Sequence, residues 1–290
     1  MPCAKPIKAY RAAHGGPIFF KNPGGTHRSV QLLELPCGQC ILCRLEHARQ
    51  WAVRITHEAQ LHDFSCFATL TYDDEHLPKT GGLKYEDLQT FWKRLRKAIG
   101  PLRYFAVGEY GDETLRPHYH ACIFGHDFTE EKKVVRRGRN PLWTNETLET
   151  AWGNGNVSVG ALTFETAQYT ASYVTKKLNN ERRYTRLDPE TGELIALEQP
   201  RAMMSLKPAI GRNWLDQFGD AMGIHDHVVV NGRVQKPPKY YDRWLEETNP
   251  GRYLENKEAR IKGIETKTPE QNRARARNAH ARAKQKTKTL

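Results

Sequence analysis

The chain has 290 residues, of which 38% are hydrophobic and 27% are charged, an ordinary composition for a globular protein that buries a sizeable core. No apolar run approaches the roughly 18 residues that cross a membrane, and the N-terminus lacks the apolar stretch of a secretory signal, so we expect a cytoplasmic protein. The formal net charge of +12 favours a polyanionic partner such as nucleic acid.

The first half of the chain predicts two helices and three strands. Apolar residues at helical spacing predict a helix over residues 44–63, and an aromatic and β-branched run predicts a strand over Phe64–Tyr72. A second helix is predicted over residues 85–99. Arg103–Tyr110 and His118–Phe124 flank a turn-rich stretch, which indicates a β-hairpin.

The second half mixes shorter elements. Its patterns predict a basic loop over 132–141, a short helix near 145–152, a strand over 155–163, a helix over 165–178 and a short helix around 214–222. Asn231-Gly232 is a two-residue hairpin signal. This order of elements predicts an α+β domain, with an antiparallel sheet that carries its helices on one face.

The C-terminal 40 residues differ from the rest in composition. Residues 251–290 contain twelve Lys and Arg against four Asp and Glu, with few large apolar side chains. Such a segment predicts a disordered or loosely helical basic arm, for which phosphate binding and simple solubility are both open interpretations. The expected organisation is a cysteine-containing segment (1–43) packed on a main domain (44–245), followed by this basic tail (246–290).

The predicted hairpin carries candidate metal ligands. His118 and His120 are two apart in a strand, so their side chains project from one face at roughly 6–7 Å spacing. A turn that pairs Glu109 with His118 adds a carboxylate to that face. Mixed nitrogen and oxygen ligands suit Mg²⁺ or Mn²⁺. Zinc is chemically possible but disfavoured, because a carboxylate-containing strand pair in a strongly basic protein fits phosphoryl chemistry better than peptide hydrolysis. The alternative is a pair of ordinary sheet histidines.

The helix predicted over 165–178 carries candidate nucleophiles. Tyr169 and Tyr173 are four residues apart and therefore share a face, which Lys177 continues and Lys176 flanks. A nearby cation and a metal-polarised phosphate make attack by a tyrosine hydroxyl feasible, and two tyrosines allow two successive transfers. The alternative is that both tyrosines simply pack this helix against the sheet.

The cysteines predict a second metal site. Two residues separate Cys37 from Cys40 and Cys40 from Cys43, a spacing that suits tetrahedral Zn²⁺. Cys3 could supply the fourth thiolate, so the candidate structural zinc ligands are Cys3, Cys37, Cys40 and Cys43. Free thiols capping the following helix are the competing interpretation. Cys66 and Cys122 lie inside predicted strands and are interpreted as small buried hydrophobic residues.

Three motifs in order resemble those of a known family. FATLTY (Phe67–Tyr72), RPHYHACIFG (Arg116–Gly125) and YTASYVTKK (Tyr169–Lys177) resemble the three rolling-circle motifs of the HUH endonucleases. Within that family the chain is most similar to the replication initiators of Microviridae, particularly those of gokushovirus-like phages. The resemblance extends from Cys3 to about Trp244.

This resemblance implies a fold, a site and an activity. The implied fold is an antiparallel sheet with ferredoxin- or RRM-like topology. The implied roles are a divalent cation held by Glu109, His118 and His120, nucleophiles at Tyr169 and Tyr173, and assistance from Lys176 or Lys177. Family members nick one strand at the phage origin, stay attached to the 5′ end as a phosphotyrosine, and later rejoin the ends. The expected partners are origin DNA and a host helicase and polymerase, in the bacterial cytoplasm.

Two other classes of protein compete with the endonuclease hypothesis. A non-catalytic single-stranded nucleic-acid-binding protein would use the basic arm, the aromatic residues and a zinc knuckle. An iron oxygenase with two histidines and one carboxylate could use the hairpin ligands, although it would need neither the tyrosine helix nor the positive charge. Covalent attachment to DNA distinguishes the endonuclease from the first, and iron-dependent oxygen consumption would reveal the second.

Overall fold

The computed structural model describes residues 3–12, 16–23, 30–111, 114–138, 140–176, 184–188, 191–263 and 267–286. The chain divides into two compact units. The central unit is Ala48–Glu258, and the terminal unit combines Met1–His47 with Ala259–Leu290. The three segments anticipated from the sequence remain a prediction.

Strands and helices are interspersed along the described residues. The strands are β1 (Ile7–Ala12), β2 (Ile18–Phe19), β3 (Val30–Leu35), β4 (Ser65–Tyr72), β5 (Arg103–Tyr110), β6 (Pro117–Phe124), β7 (Lys133–Arg136), β8 (Leu142–Thr144), β9 (Gly155–Ala161), β10 (Thr185–Leu187), β11 (Leu194–Ala196), β12 (Ala202–Met204), β13 (Val228–Val230) and β14 (Arg233–Gln235). The helices are α1 (Ile41–Ala59), α2 (Tyr85–Ile99), α3 (Glu146–Trp152), α4 (Phe164–Lys176), α5 (Arg212–His225), α6 (Lys239–Thr248), α7 (Pro250–Lys262) and α8 (Pro269–Lys286). Within the described residues, none of these helices is long and apolar enough to span a membrane.

A seven-stranded sheet organises the central unit. Its strand order is β12-β5-β6-β4-β9-β8-β7, and every pairing in it is antiparallel. The middle strands β4, β5, β6 and β9, numbered one to four in sequence, are arranged 2-3-1-4, with α2 linking the first to the second. This order is that of a ferredoxin-like sheet, so the predicted α+β class with an antiparallel sheet flanked by helices is confirmed.

Helices cover both faces of this sheet. On one face, Phe91 and Trp92 of α2 and Trp152 of α3 belong to a core that includes Leu70 of β4. On the opposite face, α1 and α4 pack against β5 and β6, and their buried side chains form a core with Ile210: Ala52, Ile55, Phe105, Cys122, Phe124 and Ala167. The expectation of helices on one face was therefore wrong. Strands β5 and β6 are buried along almost their whole length, so both of their faces need a covering layer.

Elements with a strong local pattern have the bounds that the sequence predicts. Helix α2 and strand β5 match the predicted ranges, and the Asn231-Gly232 turn joins β13 to β14 with both residues at positive φ. The basic stretch 132–141, predicted as a loop, contains the exposed strand β7.

The C-terminal tail contains helices α7 and α8. Helix α8 lacks a clear apolar stripe, and its Ala, Arg, Lys and Gln residues are intrinsically good helix formers, which accounts for helix in a segment with so little core.

Candidate metal centre and tyrosine pair

The β5–β6 hairpin brings the three predicted metal ligands together. Glu109 pairs with His118 across the hairpin, which is the register expected from the sequence, and His120 follows on the same face. Glu109 Oε2 lies 3.2 Å from His118 Nε2 and 2.9 Å from His120 Nε2. One ligand atom from each of the three residues lies within 4.8 Å of the others. Glu109 and His120 are both 5% exposed, so this polar cluster is set into the sheet.

The Nδ1 atom of each imidazole ring also has a hydrogen-bond partner. His118 Nδ1 lies 3.1 Å from the carbonyl oxygen of Arg116, and His120 Nδ1 lies 3.1 Å from Thr69 Oγ1. Because a carbonyl oxygen only accepts hydrogen bonds, His118 must carry a proton on Nδ1. Its Nε2 then points at the Glu109 carboxylate, an arrangement that is favourable only with a proton or a metal cation between the two atoms. The donor set therefore fits a divalent cation held by both Nε2 atoms and the carboxylate.

Thr69 and Arg116 were not identified as site residues from the sequence. The signal for Thr69 is its register, because it lies directly across the β4–β6 pair from His120. Arg116 contributes only its backbone carbonyl, while its guanidinium donates to the carbonyl of Tyr72 and to Asp74. Any residue can supply a backbone carbonyl, so no sequence pattern marks this contact.

Helix α4 places the two predicted tyrosines against the histidines. The ring centroids of Tyr169 and Tyr173 lie 5.2 Å and 5.3 Å from that of His120, and 4.8 Å from each other. Phe67 borders the same group, with its ring 5.5 Å from His120 and 6.4 Å from Tyr169. Helical spacing puts both tyrosines on one face, and the packing of α4 across β5 and β6 turns that face to the candidate metal ligands.

The two tyrosines have different surroundings. Tyr173 is 6% exposed, whereas Tyr169 is partly exposed. Burial, and then the negative charge of Glu109, raises the pKa of Tyr173 above its ordinary value. Lys176 ends the helix, but its side chain is not among those described, and Lys177 lies outside the described residues.

A polar recess adjoins the ligand cluster. It has a volume of about 450 Å³ and is lined by Thr69, Thr71, Val135, Thr144, Glu149, Gly155, Asn156, Val157 and Ser158. Thr69 and Thr71 pair with His120 and His118, so their side chains share the face of the histidines. Hydroxyl and amide groups dominate this recess and can hydrogen-bond to the backbone or bases of a polynucleotide.

The cysteines form a second cluster, in the terminal unit. One sulfur from each of Cys3, Cys37, Cys40 and Cys43 lies within 4.8 Å of the other three. Cys66 and Cys122 are buried, as predicted, and burial raises the pKa of both thiols, that of Cys122 to about 12.

Comparison with known proteins identifies the family. A family model described as replication-associated protein ORF2/G2P matches residues 65–178, the stretch that contains the hairpin and both tyrosines. Replication-associated protein VP4 of Bdellovibrio phage phiMH2K is 34% identical over 269 residues, which cover 88% of this chain and 80% of the relative. Replication-associated protein ORF2 of Spiroplasma virus 4 is 28% identical over 270 residues, which cover 85% of this chain and 81% of the relative.

A third relative aligns over a shorter stretch. Replication-associated protein ORF4 of Chlamydia phage 1 is 31% identical over 164 residues, which cover 53% of this chain and 41% of the relative. No solved structure matches the chain. The similarity to the Bdellovibrio phage protein extends over most of both chains, and this chain therefore belongs to the replication-associated proteins of Microviridae-type phages.

Proposed function

We propose that this protein initiates rolling-circle replication by nicking one DNA strand at the phage origin through tyrosine attack, and that it later rejoins the ends. The observation that carries the proposal is the packing of Tyr169 and Tyr173 around His120, one of three clustered candidate metal ligands. A nucleophile, a metal-binding carboxylate and two imidazoles in one place are the parts that transesterification of a phosphodiester requires.

The proposed roles follow from the contacts of each side chain. Glu109, His118 and His120 would hold Mg²⁺ or Mn²⁺, which when bound polarises the scissile phosphate and offsets its charge. Thr69 and the Arg116 carbonyl keep the two imidazoles in the orientation that directs both Nε2 atoms to one point. The recess on the same face would accept the strand that leads to the scissile phosphate.

The cleavage step exchanges one phosphate ester for another. A tyrosine oxygen bonds to phosphorus, the bond from phosphorus to the 3′ oxygen breaks, and the tyrosine proton is balanced by protonation of the departing 3′ oxygen. The product is a 5′-phosphotyrosine and a free 3′-hydroxyl. We propose that Lys176 or Lys177 offsets charge on the phosphate during this step.

Rejoining is the reverse exchange and needs no ATP. The phosphotyrosine ester preserves the energy of the broken phosphodiester, so a later 3′-hydroxyl can attack it and release the tyrosine. With two tyrosines, one can remain esterified while the other attacks. Tyr169 is the more exposed of the pair, and we propose that it makes the first attack on incoming DNA.

The proposal includes partners and a place of action. The DNA would be origin sequence, single-stranded or locally melted, inside the bacterial host cell. A host polymerase would extend the 3′-hydroxyl that nicking releases, and a host helicase would unwind the duplex ahead of it.

The test is a cleavage assay on labelled single-stranded DNA that contains the origin, with Mn²⁺ or with EDTA. We expect a metal-dependent fragment linked to protein through its 5′ end. Tyr169→Phe should reduce the first cleavage of the labelled strand more than Tyr173→Phe does. The double variant should form no covalent adduct. Tyr10→Phe, on β1 of the terminal unit, is the control and should retain adduct formation.

The competing function is non-catalytic binding of single-stranded nucleic acid. Its prediction is tight binding with no covalent adduct under any divalent metal. That result would exclude the nicking proposal and leave the Glu109, His118 and His120 cluster with a structural role.

A further inference from the structure

We propose that Cys3, Cys37, Cys40 and Cys43 bind one Zn²⁺, and that this ion holds the N-terminal part of the terminal unit together. The inference is independent of the proposed nicking activity, because the four cysteines and the hairpin ligands belong to different units.

Strand pairing brings the first two cysteines to one place. Strands β1 and β3 pair antiparallel, with Ile7 opposite Leu35. Cys3 precedes β1 and Cys37 follows β3, so both lie beyond the same end of this pair despite a separation of 34 residues.

A tight turn supplies the other two ligands. Gly38 has a φ of +75°, in the left-handed region that glycine enters at no steric cost, and the chain turns there from β3 towards α1. Cys40 immediately precedes α1, and Cys43 lies in its first turn. The four sulfurs lie within 4.8 Å of one another, which is compatible with the separation of about 3.8 Å expected for thiolates bound tetrahedrally at about 2.3 Å from zinc.

The backbone around these sulfurs is arranged to donate to them. The amide of Cys37 donates to the sulfur of Cys3 and that of Cys40 to the sulfur of Cys37, both at 3.3 Å, and the amide of Ala4 donates to the sulfur of Cys40 at 3.5 Å. Hydrogen bonds of this kind favour sulfur in its thiolate form, the form that ligates metal.

The surrounding segment has little else to stabilise it. In the described parts of residues 1–47, the buried apolar side chains are those of Cys3 and Ala9. Strands β1 and β3 present mostly exposed or half-exposed residues. Small segments that cannot bury an apolar core are commonly stabilised by a structural metal, whose binding free energy then contributes to folding.

The four cysteines suit zinc and not the ions proposed for the hairpin cluster. A site of four thiolates is soft and tetrahedral, which excludes Mg²⁺ and Mn²⁺ and selects zinc or iron. Four cysteine ligands fill the coordination shell of zinc and leave no open position for water, so the site would be structural.

The first test measures the metal content of the full-length protein, purified under reducing conditions without chelator. We expect one zinc ion per chain by inductively coupled plasma mass spectrometry. Cys40→Ser should lose most of that zinc, whereas Cys66→Ala, which removes a buried cysteine outside the cluster, should retain it. Glu109→Gln should also retain zinc, which would assign the ion to the cysteines.

A second test reports the ligands directly and does not depend on the variants folding well. Cobalt added to zinc-depleted wild type should give the visible absorption of a tetrahedral thiolate site, and zinc should abolish it. Zinc depletion should also speed proteolysis within residues 1–47 about tenfold or more, because local unfolding exposes the backbone.

Several outcomes would overturn the inference. Wild type without zinc and without a cobalt spectrum would refute it, as would equal zinc content in Cys40→Ser. Iron in place of zinc, or disulfides among these four cysteines in peptide mass spectra of the reduced preparation, would do the same.

Discussion

The two compact units of the chain differ in net charge and in their share of large buried side chains. The central unit has twenty-nine Lys and Arg and twenty-nine Asp and Glu, whereas the terminal unit has sixteen and four. The whole formal net charge of +12 therefore belongs to the terminal unit. The largest fully buried side chains lie in the central unit, among them Trp92, Tyr119 and Trp152.

This difference separates two physical tasks. A site that positions a carboxylate and two imidazoles to within tenths of an ångström needs a rigid, densely packed sheet around it. Attraction to a polyanion needs only positive charge, and it acts over about 10 Å at moderate salt. On the proposed function, the neutral central unit performs the chemistry and the terminal unit supplies most of the affinity for DNA.

The two ligand clusters differ in whether they leave coordination positions of the metal open. Two imidazoles and one carboxylate leave coordination positions open for water or phosphate, as a catalytic ion requires. Four thiolates leave none. Metal exchange should therefore affect cleavage at the first cluster and folding of the N-terminal segment at the second.

The largest expected effect comes from removing the charge of the hairpin carboxylate. Glu109→Gln keeps the shape of the side chain but loses its negative charge, so the proposed catalytic ion is held poorly. Single-turnover cleavage should fall roughly a thousandfold or more, with DNA affinity unchanged by fluorescence anisotropy. Glu193→Gln, at an exposed carboxylate, is the matched control. Cleavage by Glu109→Gln within tenfold of wild type would contradict the assigned role.

The second prediction tests whether the positive charge of the terminal unit supplies affinity for DNA. Removing residues 264–290 deletes eight Lys and Arg and two Asp and Glu. DNA affinity should fall about a hundredfold at low salt and should depend less steeply on salt, because fewer counterions are released. Cleavage at saturating protein should change little. Unchanged affinity, or loss of cleavage at saturation, would contradict this separation of tasks.

The truncation begins after α7 for a structural reason. Asn256 in that helix is buried and donates to the carbonyl of Gly223, and Tyr253 packs against the core formed by α5 and α6. A deletion that began at residue 251 would therefore damage the central unit as well as remove charge.

The smallest effect concerns the hydroxyl that orients His120. Thr69→Val keeps the side-chain shape but removes the oxygen 3.1 Å from His120 Nδ1. Single-turnover cleavage and affinity for the catalytic ion should each fall about tenfold. Thr71→Val changes the next residue on the same face of β4, which lines the recess as Thr69 does, and should reduce cleavage and affinity for the catalytic ion much less. Equal losses in the two variants would show that the recess, and not the orientation of His120, accounts for the change.

Local sequence patterns determined much of the central unit. The bounds of α2 and β5 agree with their predicted ranges because an amphipathic stripe and a short run rich in aromatic residues are complete within a few residues. The Glu109–His118 register was also predicted, since a short hairpin fixes which residues face each other. Strands β1 to β3 were missed because their residues alternate weakly between exposed and buried positions.

By itself, the sequence determined that two histidines share one strand face, that two tyrosines share one helix face, and that three cysteines have metal-ligand spacing. Each of these facts follows from the geometry of a single element. Only the tertiary structure decided that the tyrosine face meets the histidine face, that Thr69 lies across from His120, and that Cys3 lies beside Cys37. Those contacts join residues about 34 to 53 apart, and no local rule specifies such contacts because they depend on how strands pair and helices pack.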